Sequence, residues 1–115
     1  MQYKLDIDHL KTYINANDVV IKKLLTSFIN NIPQQLTDLK RMALENNAHE
    51  TAELAHKLKT PFLYFGLNDV AARLENIEQN IVSIDHTFIL QEIDSITIIG
   101  KDCAEQAQQE IDKLP

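Results

Sequence analysis

Apolar residues recur at intervals of three and four along most of the chain and do not alternate, so the pattern predicts helices throughout. Asp6 can cap a short first helix to about Ile14, with Ile7, Leu10 and Ile14 on one stripe. Asn15 to Asp18 read as a break and a new cap. A second, long helix is expected from Val19 to about Leu44, burying Leu24, Leu25, Phe28, Ile32, Leu36, Leu39 and Ala43. Pro33 falls inside it and predicts a bend or a break. Asn46 and Asn47 end that helix, and Asn47-Ala48-His49-Glu50 has the spacing of a capping box. The third helix follows, with a core stripe of Thr51, Leu54, Ala55, Leu58, Phe62 and Phe65. Gly66 is placed to close it in the left-handed conformation, and Asn68 to cap a fourth, whose inward residues are Val70, Ala71, Leu74, Ile77 and Ile81. Ser83 to Asp85 make the next turn. The last helix runs from about His86 to Lys113 and buries Ile89, Ile93, Ile96, Cys103 and Ala107, despite the β-branched run Ile96 to Ile99. Short connections between long helices favour antiparallel neighbours. The expected fold is therefore all-α, an antiparallel up-down-up-down four-helix bundle with a short additional N-terminal helix.

Composition narrows this picture. A chain of 115 residues suits one domain, 1–115, with a real core, and 44% apolar with 24% charged residues is a globular balance. Seventeen acidic against eleven basic residues leave a net charge of −6, with no concentrated basic stripe, so nucleic acid is not an expected partner. The single cysteine, Cys103, has no second thiol in the chain and sits in an apolar helical pattern, which predicts a buried structural role. Met1 to Leu5 opens no long apolar segment, and no stretch approaches the ~18 apolar residues that would span a bilayer. No direct membrane insertion is expected and the localisation is read as cytoplasmic, although a domain cut from a larger membrane kinase would look the same. The apolar stripes close one bundle and leave no second face, so a monomer is expected.

The chemistry-bearing residues lie in Ala55-His56-Lys57-Leu58-Lys59-Thr60. His56 and Lys59 are three residues apart and project about 60° from each other on a helix, on a surface backed by apolar packing. A neutral imidazole there offers a nitrogen nucleophile, and the ammonium can offset the charge of a dianionic phosphoryl group. His49, Ala52, Glu53 and Leu63 fall on the same face, where Leu63 would give a partner an apolar contact and Ala52 would leave room for it. Glu53 and His56 also have the Glu-x-x-His spacing of dimetal bundles. That site needs the spacing on two helices, and the chain shows it once, so no metal is expected.

Ala55, His56, Leu58 and Lys59, with Gly66 ten residues after the histidine and the pair Leu74-Glu75 on the next helix, resemble the histidine-containing phosphotransfer (HPt) domain of bacterial multistep phosphorelays. The likeness covers nearly the whole chain. It implies that His56 is the phosphoacceptor and that Lys59 stabilises the phosphoryl charge. It also implies a domain without autokinase activity and with no bound cofactor, which takes phosphate from a receiver-domain aspartyl phosphate and passes it to another receiver aspartate. The implied partners are response-regulator receiver domains, which carry the Mg²⁺, and a hybrid sensor histidine kinase. Two positions depart from the family pattern. Thr60 stands where glycine usually follows the lysine, about 40° from His56, and narrows the close approach glycine permits. Pro61 deprives the Lys57 carbonyl of its helical partner. A polar residue of the fourth helix often contacts the histidine in that family, and its counterpart here is Glu78 or Gln79. A carboxylate there would hold one tautomer of His56 but repel its phosphorylated form. A second implication remains open: an HPt-like module that docks receiver domains without carrying phosphate.

Overall fold

The computed structural model describes residues 3–115; Met1 and Gln2, the start of the segment read above as non-spanning, lie outside the described residues. Five helices make up the described chain and it contains no strand: α1 (Ile7–Ile14), α2 (Asp18–Leu44), α3 (Ala48–Tyr64), α4 (Asn68–Asn80) and α5 (His86–Lys113). Among the described residues, no helix is long and apolar enough to cross a membrane. The two longest helices, α2 and α5, pack most extensively on each other; α3 packs mainly on α4 and secondarily on α2, and α1 touches α2 and α3. At 1.5 Å per residue, a helix of the length of α5 is about 40 Å long, which accounts for a molecule measuring 46 × 26 × 21 Å.

Local chemistry explains where each helix begins and ends. The Asp6 side chain accepts a hydrogen bond from the His9 amide, and Asn17 accepts one from Val20, so both predicted caps are filled. Asn15 closes α1 in the left-handed conformation. Asn46 does the same after α2, with its amide on the Ala43 carbonyl and the Asn47 amide on Met42. Asn47 therefore serves two helices. Its side chain accepts from the Glu50 amide to start α3, whereas its own amide is already committed to α2, which leaves the Glu50 carboxylate no return donor. Half of the expected capping box forms. α2 runs through Pro33 without a break, so of the two expected outcomes the split into two helices does not occur.

Gly66 ends α3 as expected. Its φ is +75°, its amide reaches the Leu63 carbonyl, and the Leu67 amide reaches Phe62. Leu67 is at once the last residue of this turn and the cap position of α4, and Asn68 is already helical. The expected Asn68 cap therefore does not form. The reversal is too short to leave a polar residue outside the helix, and the buried Leu67 fills the position instead.

The core follows the predicted stripes with small differences. Ile21 is buried, whereas Leu24, Leu54 and Ile81, at the margins of their stripes, are only half-buried. Phe28 of α2 stands edge-on to both Phe62 and Phe65, at 5.5 and 5.7 Å, and fixes the second half of α3. On the far side, α5 packs tightly on α2 at Gly100, where a Cβ would lie 2.5 Å from Leu36 Cδ1. Arg73 of α4 makes a bidentate contact with Glu92 of α5 and a further bond to Ser95. Cys103 is fully buried, and burial pushes its thiol up to about 12.

Replacing Gly66 with alanine should lower unfolding free energy by about 1–2 kcal/mol, because alanine must adopt a left-handed backbone. A Cβ there would also sit 3.2 Å from that of Asp6. Urea denaturation of the two proteins checks this, and an unchanged midpoint would contradict it.

Candidate functional site

α3 and α4 lie side by side beyond the Gly66 turn, and this brings His56, ten residues before the glycine, opposite Glu78, twelve residues after it. Ala55 and Leu58 are completely buried on either side of the histidine in sequence, which turns His56 outward with its side chain 64% exposed. Its Nδ1 lies 2.9 Å from Glu78 Oε2. An ionised carboxylate only accepts hydrogen bonds, so the geometry puts the imidazole proton on Nδ1 and leaves Nε2 with a free lone pair in the neutral ring.

Glu78 has a second neighbour. Its Oε1 is shut off from solvent and has no aligned hydrogen-bond donor, but the Lys59 ammonium is 2.8 Å away, with Glu75 Oε1 on the other side at 3.7 Å. Charge rather than hydrogen-bond alignment holds the short contact. Lys59 is expected on the surface beside His56. Instead its side chain folds across to α4 and retains only 17% of its exposure. The direct contact with this ammonium holds the Glu78 carboxyl below its ordinary range; partial burial opposes that shift, and His56 adds to it. In return Glu78, and less strongly Glu75, raises Lys59 above its ordinary value against the cost of desolvation. His56, Glu78 and Lys59 thus form a continuous chain from an open ring nitrogen to a half-buried ion pair.

The open side of the histidine faces a shallow depression of about 540 Å³ lined by His49, Ala52, Glu53, His56, Lys57 and Glu78. His49 Nε2 meets Glu53 Oε1 at 3.0 Å along one helix face. Of the residues singled out in the sequence, His49, Ala52, Glu53, His56 and Glu78 line this depression, and Lys59 joins them through Glu78 without lining it. Glu78 is the fourth-helix residue that meets the histidine, whereas Gln79 points to solvent without a hydrogen bond to any described residue. Thr60 is exposed and Leu63 half-buried, both outside the lining of the depression. Gly66 lies at the other end of α3 against Asp6 and His9, where its work is the turn. Sequence reasoning gave no site role to Lys57 or Glu75, although both stand within the runs quoted for the resemblance. For Glu75 the available signal was its place one turn before Glu78, within reach of the same lysine. Among the described residues, no cluster of three or more histidine, cysteine or acidic side chains has the arrangement to hold a metal ion.

No family model matches this chain, and neither a curated protein nor a solved structure matches it.

The ion pair makes stability depend on pH at both ends of the scale. Glu78 has a folded-state pKa below its ordinary 4.5, so its contribution is complete above that value and is lost as pH falls through the folded pKa. Lys59 is raised above 10.5, so its share is present below that value and is lost as pH rises past the folded pKa. Glu78→Gln should remove the acid-side loss at a cost of about 1 kcal/mol or less near neutrality, as expected for a partly exposed pair. Thermal unfolding from pH 3 to 7 measures it; parallel curves for wild type and variant would exclude the linkage.

Proposed function

We propose that this protein is a phosphorelay intermediate of the histidine-containing phosphotransfer type, with His56 as its phosphoacceptor. The observation that carries the reading is the Nδ1 contact of His56 with Glu78, which leaves Nε2 as the open nucleophile on an exposed helix face. In this reading the Nε2 lone pair attacks the phosphorus of a receiver aspartyl phosphate. The N–P bond forms as the acyl phosphate P–O bond breaks and the aspartate leaves as a carboxylate. The ring becomes a phosphoimidazolium whose Nδ1–H still donates to Glu78, and this bond steadies the positive charge that develops during transfer. A second receiver aspartate reverses the step, taking the phosphoryl group and restoring neutral imidazole. Lys59 neutralises Glu78, so the incoming phosphoryl group does not meet an uncompensated carboxylate. Because the reaction depends on positioning and charge, a rigid nucleophile on an exposed helix face is sufficient, and no autokinase activity is required of the chain.

The reading includes the finer architecture and setting. Lys40 pairs with Asp94, and Leu36 packs where Gly100 allows close approach, which supports opposite directions for α2 and α5. The pairs Lys59–Glu75 and His56–Glu78 support the same for α3 and α4, hence an antiparallel up-down-up-down bundle with α1 across one end. The partners are receiver domains carrying their own Mg²⁺, supplied by a hybrid sensor kinase in the cytoplasm.

Labelled phosphate presented on a panel of phosphorylated receiver domains with Mg²⁺ should appear as acid-labile label on the wild-type protein and vanish with His56→Gln. Label retained by the variant would move the acceptor elsewhere. Receiver binding without label on either protein would instead favour the HPt-like docking module.

A further inference from the structure

A phosphoryl group on His56 Nε2 would bring a dianion into the depression over α3, and most charges there are already spent. His49 and Glu53 face each other, His56 holds one oxygen of Glu78, and Lys59 is enclosed between Glu78 and Glu75. Lys57 is the exception. It is exposed, it lines the depression with His56 and Glu78, and it forms no ion pair with any described residue. The natural helical partner of Lys57 would be Glu53, four residues earlier and in the favourable orientation, but Glu53 is turned back to His49. Neighbouring helix positions diverge by about 100°, which usually separates their side chains. A lysine stem is long and flexible enough to bridge that angle, and Lys57 borders both this depression and the groove on its other side between α2 and α3, with its ammonium unpaired among the described residues.

We propose that Lys57 is the cation that contacts the phosphoryl group on His56, and that Lys59 acts on the histidine through Glu78 as a positioning residue. This rests on the reading of His56 as phosphoacceptor. It divides two duties between two lysines: one holds the ring in its reactive tautomer from inside, the other meets the transferred group from solvent. The outer contact is salt-sensitive and the inner one is sheltered.

Phosphoramidate tests this without any protein partner, because it transfers its phosphoryl group to a histidine nitrogen with release of ammonia. The full chain is treated with it, the modified histidine is mapped, and the phosphoryl group is titrated by ³¹P NMR at low and high salt. Lys57→Gln should weaken the preference for the dianion about threefold, the size of a solvent-exposed charge pair, and should remove most of the salt dependence. Lys57→Arg should retain both. The double variant Lys59→Met, Glu78→Gln removes the inner pair at no net charge. It should leave the phosphoryl titration in place while changing the ¹⁵N tautomer signature of unmodified His56. An unmoved titration in Lys57→Gln, or an equal displacement in the double variant, overturns the assignment of the lysines. Modification spread evenly over His9, His49, His56 and His86 would overturn the phosphoacceptor reading itself.

Discussion

The left-handed turn at Gly66 is the constraint on which the arrangement depends. Three residues, Phe65 to Leu67, close α3, reverse the chain and start α4, and only a residue without a side-chain penalty at φ +75° does this cheaply. The same turn receives the N-terminal segment, because the Asp6 amide donates to the Phe65 carbonyl and the Asp6 side chain then caps α1. With no slack in the connection, the position of α4 against α3 is set to within a residue, and Glu78 arrives across from His56. A longer loop would allow α4 to slide or rotate against α3, and Glu78 would no longer be held opposite His56.

Most of the helical framework was legible because local signals agreed with the periodicity. Asp6, Asn17, Asn47 and Gly66 mark boundaries with chemistry that operates over three or four residues, and α5 occupies the span its apolar stripe prescribes. The misreadings arose where one residue had two obligations. Asn68 looks like a cap, but Leu67 is already held by the end of α3; Glu50 looks like the return half of a capping box, but the Asn47 amide is already taken by Met42. Local grammar assigns each group once, and short connections use it twice.

The site was legible to a different depth. His56 and Lys59 share a helix, so their proximity follows from their spacing alone. Which fourth-helix side chain meets them depends on the rotation of α4, and that is a tertiary quantity; Glu78 and Gln79 differ by one residue but point into the site and into water respectively. The depth of Lys59 was hidden for the same reason. Two carboxylates from another helix draw its ammonium inward, and no pattern within α3 records their presence. Lys57 was passed over because adjacent helix positions are ordinarily counted on separate faces, a rule that weakens for a side chain as long as lysine.

Cys103 has a practical consequence. As the single thiol of the chain, completely buried between helices and with its ionisation pushed up to about 12, it offers almost no thiolate to a maleimide or a disulfide reagent while the fold is intact. The native protein is therefore a silent background for labelling: a cysteine introduced on the His56 face would carry a probe alone. The native thiol would react only on opening of the core, which makes its alkylation rate a clock for global unfolding.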